Sequence, residues 1–245
     1  MIMDIKDSVI LITGAATRVG RHVALFLAKK GANICFSYYL DSEPWRQTLR
    51  DIEQCNVDVI AHQTEIRSAA SVRELVNAAI QKFGRVDVLI NNASVWLKAP
   101  FLEIGEEDWD TALDVNLKGP FMVSQAIAPY MLKQQKGVMI NITDLSAFQV
   151  WAGYAHHAAS KAGLVALTKS MALELSPHVR VNAIAPGTVL LPENAPPEKR
   201  KWAEEKSVLK RVGSPEDVAR LVEFIIECDF ATGAVYFVDG GRSLV

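Results

Sequence analysis

The chain is poor in cysteine, in net charge and in long hydrophobic runs, and each shortage excludes a class of protein. Its 245 residues contain three cysteines, Cys35, Cys55 and Cys228, with no metal-ligand spacing and in too small a number for a disulfide framework. A formal net charge of -2 leaves no basic surface for nucleic acid or anionic lipid. The short basic run 199–201 is interpreted as a solvated helix face. We therefore expect a small-molecule substrate, with no nucleic acid and no membrane as partners.

Two further absences bear on location and on domain number. Asp4 and Lys6 precede the first apolar run, so the N-terminal residues lack the hydrophobic core of a signal peptide, and no apolar stretch has the length of a membrane span. These features predict a cytoplasmic protein. No Pro/Gly/Ser-rich linker divides the chain, so we expect a single domain over residues 1–245.

Apolar runs alternate with segments of helical periodicity along most of the chain. The runs are continuous rather than alternating with polar residues, which is typical of parallel strands buried on both faces. The fold class predicted is therefore α/β, a parallel sheet of about seven strands with helices on both faces. The predicted strands are 9–13, 33–38, 58–63, 86–90, 137–142, 180–185 and 234–238, and the helices between them include 19–29, 46–55, 72–83, 109–134 (interrupted near Gly119 and Pro120) and 215–227.

One segment does not follow this alternation. Residues 188–207 combine Pro192, Pro196 and Pro197 with charged residues. Proline-rich excursions of this kind run over the surface and often cover a binding site. We interpret 188–207 as a substrate loop.

A glycine-containing turn joins the first strand to the first helix. Thr13, Gly14, Val19 and Gly20 belong to this turn, where a pyrophosphate would meet backbone N–H groups and the positive end of the helix. Arg18 stands at the place of the middle glycine of the usual fingerprint and can form bidentate bonds to a phosphate.

The end of the second strand bears on the choice of nucleotide. This strand ends at Tyr38 without a carboxylate for the ribose 2′-hydroxyl, and Asp41 lies further on. Together with Arg18, this pattern favours NADP(H) over NAD(H) as the cofactor.

The stretch from Asn141 to Gly163 carries the candidate chemistry. Asp144 follows the fifth predicted strand, and His157 and Lys161 lie four residues apart on the following helix, so their side chains share one face. Crevices at the carboxyl ends of the strands are where open α/β sheets bind ligands. We expect the three groups to meet there and to transfer a proton. An alternative role for Asp144 is a local turn cap.

Several short motifs, taken together, resemble the short-chain dehydrogenase/reductase family. The resemblance extends from about residue 7 to the C-terminus. It implies a doubly wound Rossmann domain, a nicotinamide cofactor and a homodimer or homotetramer. The motifs are Thr13 to Gly20, Asn91-Asn92-Ala93-Ser94, Asp114-Val115-Asn116, Ala159-Ser160-Lys161, Pro186-Gly187 and Val238-Asp239-Gly240-Gly241.

The resemblance implies roles for individual residues. Asn92 and Ala93 would lie beside the adenosine ribose, Glu65 and Ile66 beside the adenine, and Lys161 would hold the second ribose. Asn116 would support a proton path to the lysine. The full set of implied cofactor-binding residues is Thr13, Gly14, Arg18, Val19, Gly20, Tyr38, Glu65, Ile66, Asn92, Ala93, Lys161, Pro186, Gly187 and Thr188.

Within that family the sequence is most similar to the pteridine reductase branch. Arg18, Ser94 and Asp144, the last at a position where most members carry serine, support this reading. The substrate-binding residues implied are Arg18, Ser94 and Trp96, with the indole stacked on a flat heterocycle. In the alternative interpretation Trp96 only anchors its loop.

The most consequential departure is His157, which stands where the family has its catalytic tyrosine. The catalytic residues implied are Asp144, His157, Lys161 and Asn116, with Tyr154 as a possible substitute donor. A metal site of Asp144, His156 and His157 is disfavoured, because neighbouring helical residues do not converge on one ion. The predicted function is an NADPH-dependent oxidoreductase that reduces a pterin-like or other flat C=N or C=O substrate. The alternative is a catalytically impaired NADP-binding regulatory or assembly protein.

Overall fold

A seven-stranded parallel sheet forms the centre of the protein. The computed structural model describes residues 3–192 and 194–245, and the strand order across the sheet is β3-β2-β1-β4-β5-β6-β7. All six pairings are parallel. The strands are β1 (Val9–Ile12), β2 (Asn33–Tyr38), β3 (Val59–Gln63), β4 (Val88–Asn91), β5 (Gly137–Ile142), β6 (Val179–Pro186) and β7 (Val235–Val238).

Helices cover both faces of this sheet, as the continuous apolar strands require. Two separate hydrophobic clusters, one on each face, contain the strands' buried side chains in alternation: Ile10 and Ile12 lie in one cluster and Leu11 in the other. The helices are α1 (Arg18–Lys29), α2 (Trp45–Glu53), α3 (Ala69–Phe83), α4 (Glu106–Leu113), α5 (Gly119–Lys133), α6 (Ala155–Glu174), α7 (Pro197–Lys206) and α8 (Pro215–Glu227).

The strand order reverses between β1 and β4, and this reversal creates the crevice. The chain leaves β1 toward β2 and β3 on one side, and later returns to β4 on the other side of β1. The connections after β1 and β4 therefore separate at the carboxyl edge of the sheet. Such a switch point is the expected ligand site of a doubly wound sheet.

The prediction of a doubly wound α/β domain is confirmed, and most predicted elements lie within a few residues of the observed ones. The helix predicted over 109–134 is interrupted just before Gly119. A π-helical turn over Asp114–Lys118 separates α4 from α5, and Pro120 is accommodated in the first turn of α5. The loop 188–207 ends in a helix, α7. No helix in the described part of the chain is long and apolar enough to cross a membrane.

Candidate active site

A cleft of about 580 Å³ lies at the N-terminus of α1. Thr17 precedes this helix without a side-chain cap, and the first turn contains no acidic residue. The first N–H groups and the positive end of the helix dipole are therefore available to an anion. The cleft has the donor set that a dinucleotide pyrophosphate needs. Its lining includes Gly14, Arg18, Val19, Gly20, Tyr38, Glu65, Ile66, Asn92, Ala93 and Ser94.

Two glycines let the backbone segments around the cleft approach each other. A Cβ on Gly20 would lie 2.5 Å from Asn92 Nδ2 and 2.7 Å from the carbonyl oxygen of Gly14. Asn92 Nδ2 donates to the carbonyl oxygens of Thr13 and Gly14, and Thr13 Oγ1 accepts the N–H groups of Asn92 and Ala93. The turn after β1 is thus tied to the end of β4, and only glycine fits at position 20.

Arg18 occupies the left-handed region of backbone space, with φ of 54°. Most residues avoid this region, which accounts for the glycine usual at this position. Its guanidinium is exposed on the cleft, with Nη2 3.5 Å from the carbonyl oxygen of Leu190. Arg18 therefore spans the opening between the nucleotide turn and the substrate loop.

A carboxylate from the loop after β2, which the sequence analysis did not predict, lies beside the end of this strand. Glu43 Oε1 accepts the N–H groups of Tyr39 and Leu40, both at 2.8 Å, and the residue lines the cleft. Asp41 points away and accepts from Trp45 Nε1 at 3.0 Å. As predicted, β2 itself ends without a carboxylate. The loop that follows β2, however, folds back and places the Glu43 carboxylate beside the end of the strand.

Two predicted adenine contacts, Glu65 and Ile66, line the same cleft. The Arg67 guanidinium donates to both carboxylate oxygens of Glu65, at 3.0 and 2.8 Å. These hydrogen bonds, which outweigh partial burial, lower the pKa of Glu65 to about 2. The Glu65 carboxylate is therefore ionised and paired with Arg67. Another residue of the cleft lining, Tyr38, is stacked on Trp45 with ring centroids 4.6 Å apart.

The second part of the site is a buried hydrogen-bond network at the carboxyl end of β5. His157 Nε2 lies 2.7 Å from Asp144 Oδ2, and Nδ1 lies 3.1 Å from the carbonyl oxygen of Val95. Lys161 Nζ donates to the carbonyl oxygen of Ile142 at 3.0 Å. The structure thus brings together the three groups predicted from the 141–163 stretch.

Asn116 joins this network to the loop after β4. Its Oδ1 accepts from Ser94 Oγ and from the N–H of Val95, both at 2.9 Å. Its Nδ2 donates to the carbonyl oxygen of Val95 and to Ser160 Oγ, both at 3.1 Å, and lies 3.3 Å from His157 Nδ1. The π-helical turn re-aims the helix at this residue, and Asn116 is fully buried.

The neighbours of the His157 imidazole decide where its hydrogens lie. Asp144 offers only acceptor atoms when it is ionised, so Nε2 carries a hydrogen toward it. Nδ1 faces both an acceptor, the Val95 carbonyl oxygen, and a donor, Asn116 Nδ2. Nδ1 can therefore be protonated or not, while the Nε2 hydrogen is directed at Asp144 in both cases.

Charge and burial act in opposite directions on Asp144. Burial alone would raise its pKa, but the hydrogen bond with His157 and the charge of Lys161 outweigh burial, so the pKa of Asp144 lies below its ordinary value. Burial lowers the pKa of Lys161, opposed by the charge of Asp144. Asp144 also accepts the N–H of Ser146 at 2.7 Å. Asp144 therefore makes the contact of a local turn cap and also pairs with His157.

His157 does not face the crevice directly, contrary to expectation. Its side chain is 0% exposed, whereas that of Asp144 is 19% exposed. Trp96 covers the imidazole, with ring centroids 4.3 Å apart, and Tyr154 also contacts this indole, with ring centroids 4.9 Å apart. Asp144 is therefore the member of the pair with a solvent-exposed surface.

Comparison with known proteins agrees with this geometry. A family model described as enoyl-(acyl carrier protein) reductase matches residues 14–243. The 3-oxoacyl-(acyl-carrier-protein) reductase FabG of Thermotoga maritima is 36% identical over 98% of this chain and 99% of its own length. The chain belongs to the short-chain dehydrogenase/reductase family.

Other members of this family are similar to this chain, in sequence or in structure, over nearly its whole length. The 3beta-hydroxysteroid dehydrogenase 1 of Eggerthella lenta is 35% identical, over 98% of this chain and 95% of that protein. The structure of a short-chain dehydrogenase/reductase from Serratia marcescens superposes with a TM-score of 0.92 at 29% identity, covering 98% and 99% of the two chains. A 7 alpha-hydroxysteroid dehydrogenase with bound NADH and 7-oxo glycochenodeoxycholic acid gives a TM-score of 0.91 at 30% identity, covering 97% and 96%. The chain is thus an oxidoreductase of this family, which uses nicotinamide cofactors.

In this short-chain dehydrogenase/reductase the end of β6 completes the crevice. A Cβ on Gly187 would lie 2.8 Å from the Cα of Asp239, and the Gly187 N–H donates to the carbonyl oxygen of Val238. The next residue, Thr188, accepts a hydrogen bond from Arg242 Nη1 at 2.8 Å. The C-terminal turn is therefore packed directly on the predicted nicotinamide position.

Some residues of the site escaped the sequence analysis. Glu43 enters the cleft by folding back over a loop, and Trp151 and Arg242 join the crevice from distant segments. A carboxylate four residues after Tyr39 and just before a helix was the available signal for Glu43. His156 is fully buried, with no hydrogen-bond partner on either ring nitrogen among the described residues. The same part of the chain contains no group of three or more potential metal ligands.

Proposed function

We propose that this family member is an NADPH-dependent reductase of a pterin-like or other flat substrate with a C=N or C=O bond. The observation that carries the proposal is the hydrogen-bonded pair of Asp144 and His157, joined through Asn116 to Ser160 beside Lys161. A buried network of this kind costs desolvation unless every member is satisfied, and its members are also the groups that proton transfer requires.

Trp96 supports the choice of a flat substrate. Its indole is 52% exposed although it packs on His157 and Tyr154. An exposed aromatic face suits a heterocycle stacked parallel to it. Arg18 and Ser94 line the adjoining cleft, where Arg18 offers hydrogen-bond donors to such a ring and Ser94 Oγ, whose hydrogen is donated to Asn116, offers an acceptor.

The proposed proton path starts at a doubly protonated His157, passes through Asp144 and ends at the substrate. Because the pKa of Asp144 is lowered, its carboxylate is ionised at neutral pH and can accept the His157 Nε2 proton. As it does so, the carboxyl group passes a proton to a water on its exposed side, and the water passes a proton to the substrate, which leaves a neutral His157 and an ionised Asp144. A reduced nicotinamide supplies the hydride when it is bound, and Lys161 would position its ribose.

The preference for NADPH rests on Arg18 and is opposed by Glu43. Arg18 is an exposed cation at the mouth of the nucleotide cleft and suits the additional phosphate of NADP(H). The Glu43 carboxylate lies at the end of β2, where a 2′-phosphate would add like charge. We propose NADP(H) as the cofactor, with an affinity that Glu43 reduces.

We expect the enzyme to act in the cytoplasm as a homotetramer or homodimer. Exposed apolar side chains on and beside α4 and α5 support self-association, because monomers rarely leave such side chains in contact with water. They are Phe101, Leu102, Trp109, Phe121, Tyr130 and Leu132.

The first experiment measures NADPH oxidation with 7,8-dihydrobiopterin and 7,8-dihydrofolate from pH 5 to 8, in the native protein and in His157→Tyr. We expect turnover in the native protein that falls as histidine loses its proton toward high pH, since the proposed path needs the protonated ring. His178→Tyr is the matched control, because His178 directly precedes β6 at the amino ends of the strands, whereas the site lies at their carboxyl ends. A flat pH profile would exclude the role given to His157.

A second function is favoured by the complete burial of His157. An imidazole that does not reach the crevice is also compatible with a regulatory or assembly protein that binds NADP(H) but does not turn over a substrate. Micromolar NADPH binding with no oxidation over a panel of pterins and carbonyls, combined with activity in His157→Tyr, would support this function instead.

A further inference from the structure

A cation stacked between two indoles closes the crevice on the side of the C-terminal turn. The Arg242 guanidinium carbon lies 5.1 Å from the ring centroid of Trp151 and 4.9 Å from that of Trp202. Trp202 belongs to α7, and Trp151 precedes α6. The Arg242 guanidinium, which belongs to the C-terminal turn, therefore contacts both the substrate loop and the segment before α6.

This guanidinium lacks a carboxylate partner among the residues that the structure describes. It carries five N–H donors, and one of them, on Nη1, bonds to Thr188 Oγ1. The charge of Asp239 acts on Arg242, but the two Asp239 carboxylate oxygens accept the N–H groups of Gly241 and Ser243. Burial lowers the pKa of Arg242, against the charge of Asp239. A half-buried cation with unused donors is costly until an anion joins it.

The surroundings of Arg242 leave room for that anion. It borders a cavity of about 380 Å³ together with Thr188 and Arg211. The second cation, Arg211, is already paired with Asp217 at 3.2 and 3.3 Å. Arg242 is therefore the cation of this cavity that is left for a ligand.

Arg242 is connected to the proposed chemistry through ring contacts. Trp151 lies 6.1 Å from Trp96, and Trp96 covers His157, the partner of Asp144. Thr188, bonded to Arg242, follows the end of β6 at the position where the family resemblance places the nicotinamide. A series of side-chain contacts thus links Asp144 to Arg242 through His157, Trp96 and Trp151. A substrate that follows the two indoles would have its reacting end at Asp144 and its far end at Arg242.

We propose that Arg242 binds a carboxylate at the far end of the substrate, so that the enzyme prefers flat substrates that carry a carboxylate over neutral ones. The planar fork of arginine matches a carboxylate in a bidentate arrangement, and the indoles of Trp151 and Trp202 limit its other orientations. This inference rests on the proposed function, which places the reacting end of the substrate at Asp144. It adds the prediction that the far end of the substrate is negatively charged.

The kinetic test compares 7,8-dihydrofolate, whose tail carries carboxylates, with 7,8-dihydrobiopterin, whose side chain is neutral. In Arg242→Met we expect kcat/KM for dihydrofolate to fall at least about tenfold, mainly through KM, and that for dihydrobiopterin to change less than about twofold. Arg242→Lys keeps the charge but not the fork, and should lose an intermediate amount. Arg220→Met, an exposed arginine on α8 paired with Glu216, is the matched control. An equal loss on both substrates, or no loss on either, would overturn the inference.

A binding test separates this inference from the proposed function. Isothermal titration calorimetry with 4-aminobenzoyl-glutamate and with neutral 4-aminobenzamide needs no turnover. Binding of the carboxylate compound that weakens at least about tenfold in folded Arg242→Met, and by an intermediate amount in folded Arg242→Lys, supports the anion site even if no pterin is reduced. Binding that is unchanged in both variants contradicts the anion site even if pterins are reduced.

Discussion

The nucleotide cleft and the catalytic network are built in different ways. The cleft is formed largely by backbone: Gly14 and Gly20 allow close approach, the N–H groups of α1 face the ligand, and its ionic side chains, such as Arg18, are partly or fully exposed. The network consists of side chains with almost no exposed surface, as in Asn116, His157 and Lys161. Changes in the network should therefore cost more than changes of charge around the cleft.

Removing the charge of Asp144 should have the largest effect. In Asp144→Asn we expect kcat to fall at least about 100-fold, because the amide neither holds the His157 hydrogen nor orients a water equally well. Asp110→Asn, on the exposed side of α4, should leave kcat unchanged. Steady-state NADPH oxidation measures both variants, and native-like turnover in Asp144→Asn would exclude Asp144 from the chemistry.

The same variant tests the electrostatics of the network through stability. The folded-state pKa of Asp144 lies below its unfolded value of about 3.9, so its contribution is fully present above that pH and is lost as the pH falls through the folded-state pKa. Urea unfolding from pH 7 to 2.5 should show a stability difference between native protein and Asp144→Asn that narrows in this acidic range. A constant difference would contradict the lowered pKa.

Asn116→Ala should have the next largest effect on stability. It leaves the part-buried N–H of Val95 and the buried hydroxyl of Ser160 without this partner, which should cost about 1–3 kcal/mol in the free energy of unfolding. Asn77→Ala, at an exposed position of α3 outside the site, is a control for loss of an amide. If Asn116→Ala unfolds at the same urea concentration as the native protein, the network is not a stabilising element.

Gly20→Ala tests the backbone construction of the cleft. The new Cβ would meet Asn92 Nδ2 and the carbonyl of Gly14, so we expect about 1–3 kcal/mol of destabilisation and weaker NADPH binding. In Gly105→Ala the new Cβ would lie 3.7 Å from the flexible Asp108 Oδ2, and stability should change by less than about 0.5 kcal/mol. Equal behaviour of the two variants in thermal unfolding and in NADPH titration would refute the close-approach argument.

Glu43→Gln should have the smallest effect and the most selective one. Removing the carboxylate at the end of β2 should tighten NADPH binding by about threefold to fivefold and leave NADH binding unchanged, since charge interactions of partly exposed groups are worth about 1 kcal/mol or less. Glu53→Gln, on the exposed end of α2, is the control. Fluorescence titration of both nucleotides gives the ratio, and an equal change for NADH would contradict the assignment.

Local sequence patterns were sufficient for the strands, the nucleotide turn and most helices, but not for α7, which lies within the predicted loop 188–207. Val9–Ile12 and Gly137–Ile142 are continuous apolar runs, and a strand-glycine-helix order constrains the backbone wherever it occurs. The four-residue spacing of His157 and Lys161 correctly placed both side chains on one face of α6. The spacing did not reveal that Trp96 would cover the imidazole, because this contact joins residues 61 positions apart in sequence.

The sequence by itself determined the doubly wound α/β fold, the position of the crevice and the convergence of Asp144, His157 and Lys161, since these follow from periodicity and from the parallel order of the strands. Only the tertiary structure decided that Asp144 rather than His157 reaches the crevice, that Glu43 returns to the end of β2 and that Arg242 lies between Trp151 and Trp202. These features depend on how loops fold back and on which side chains exclude water. Neither property is encoded in any short stretch of the chain.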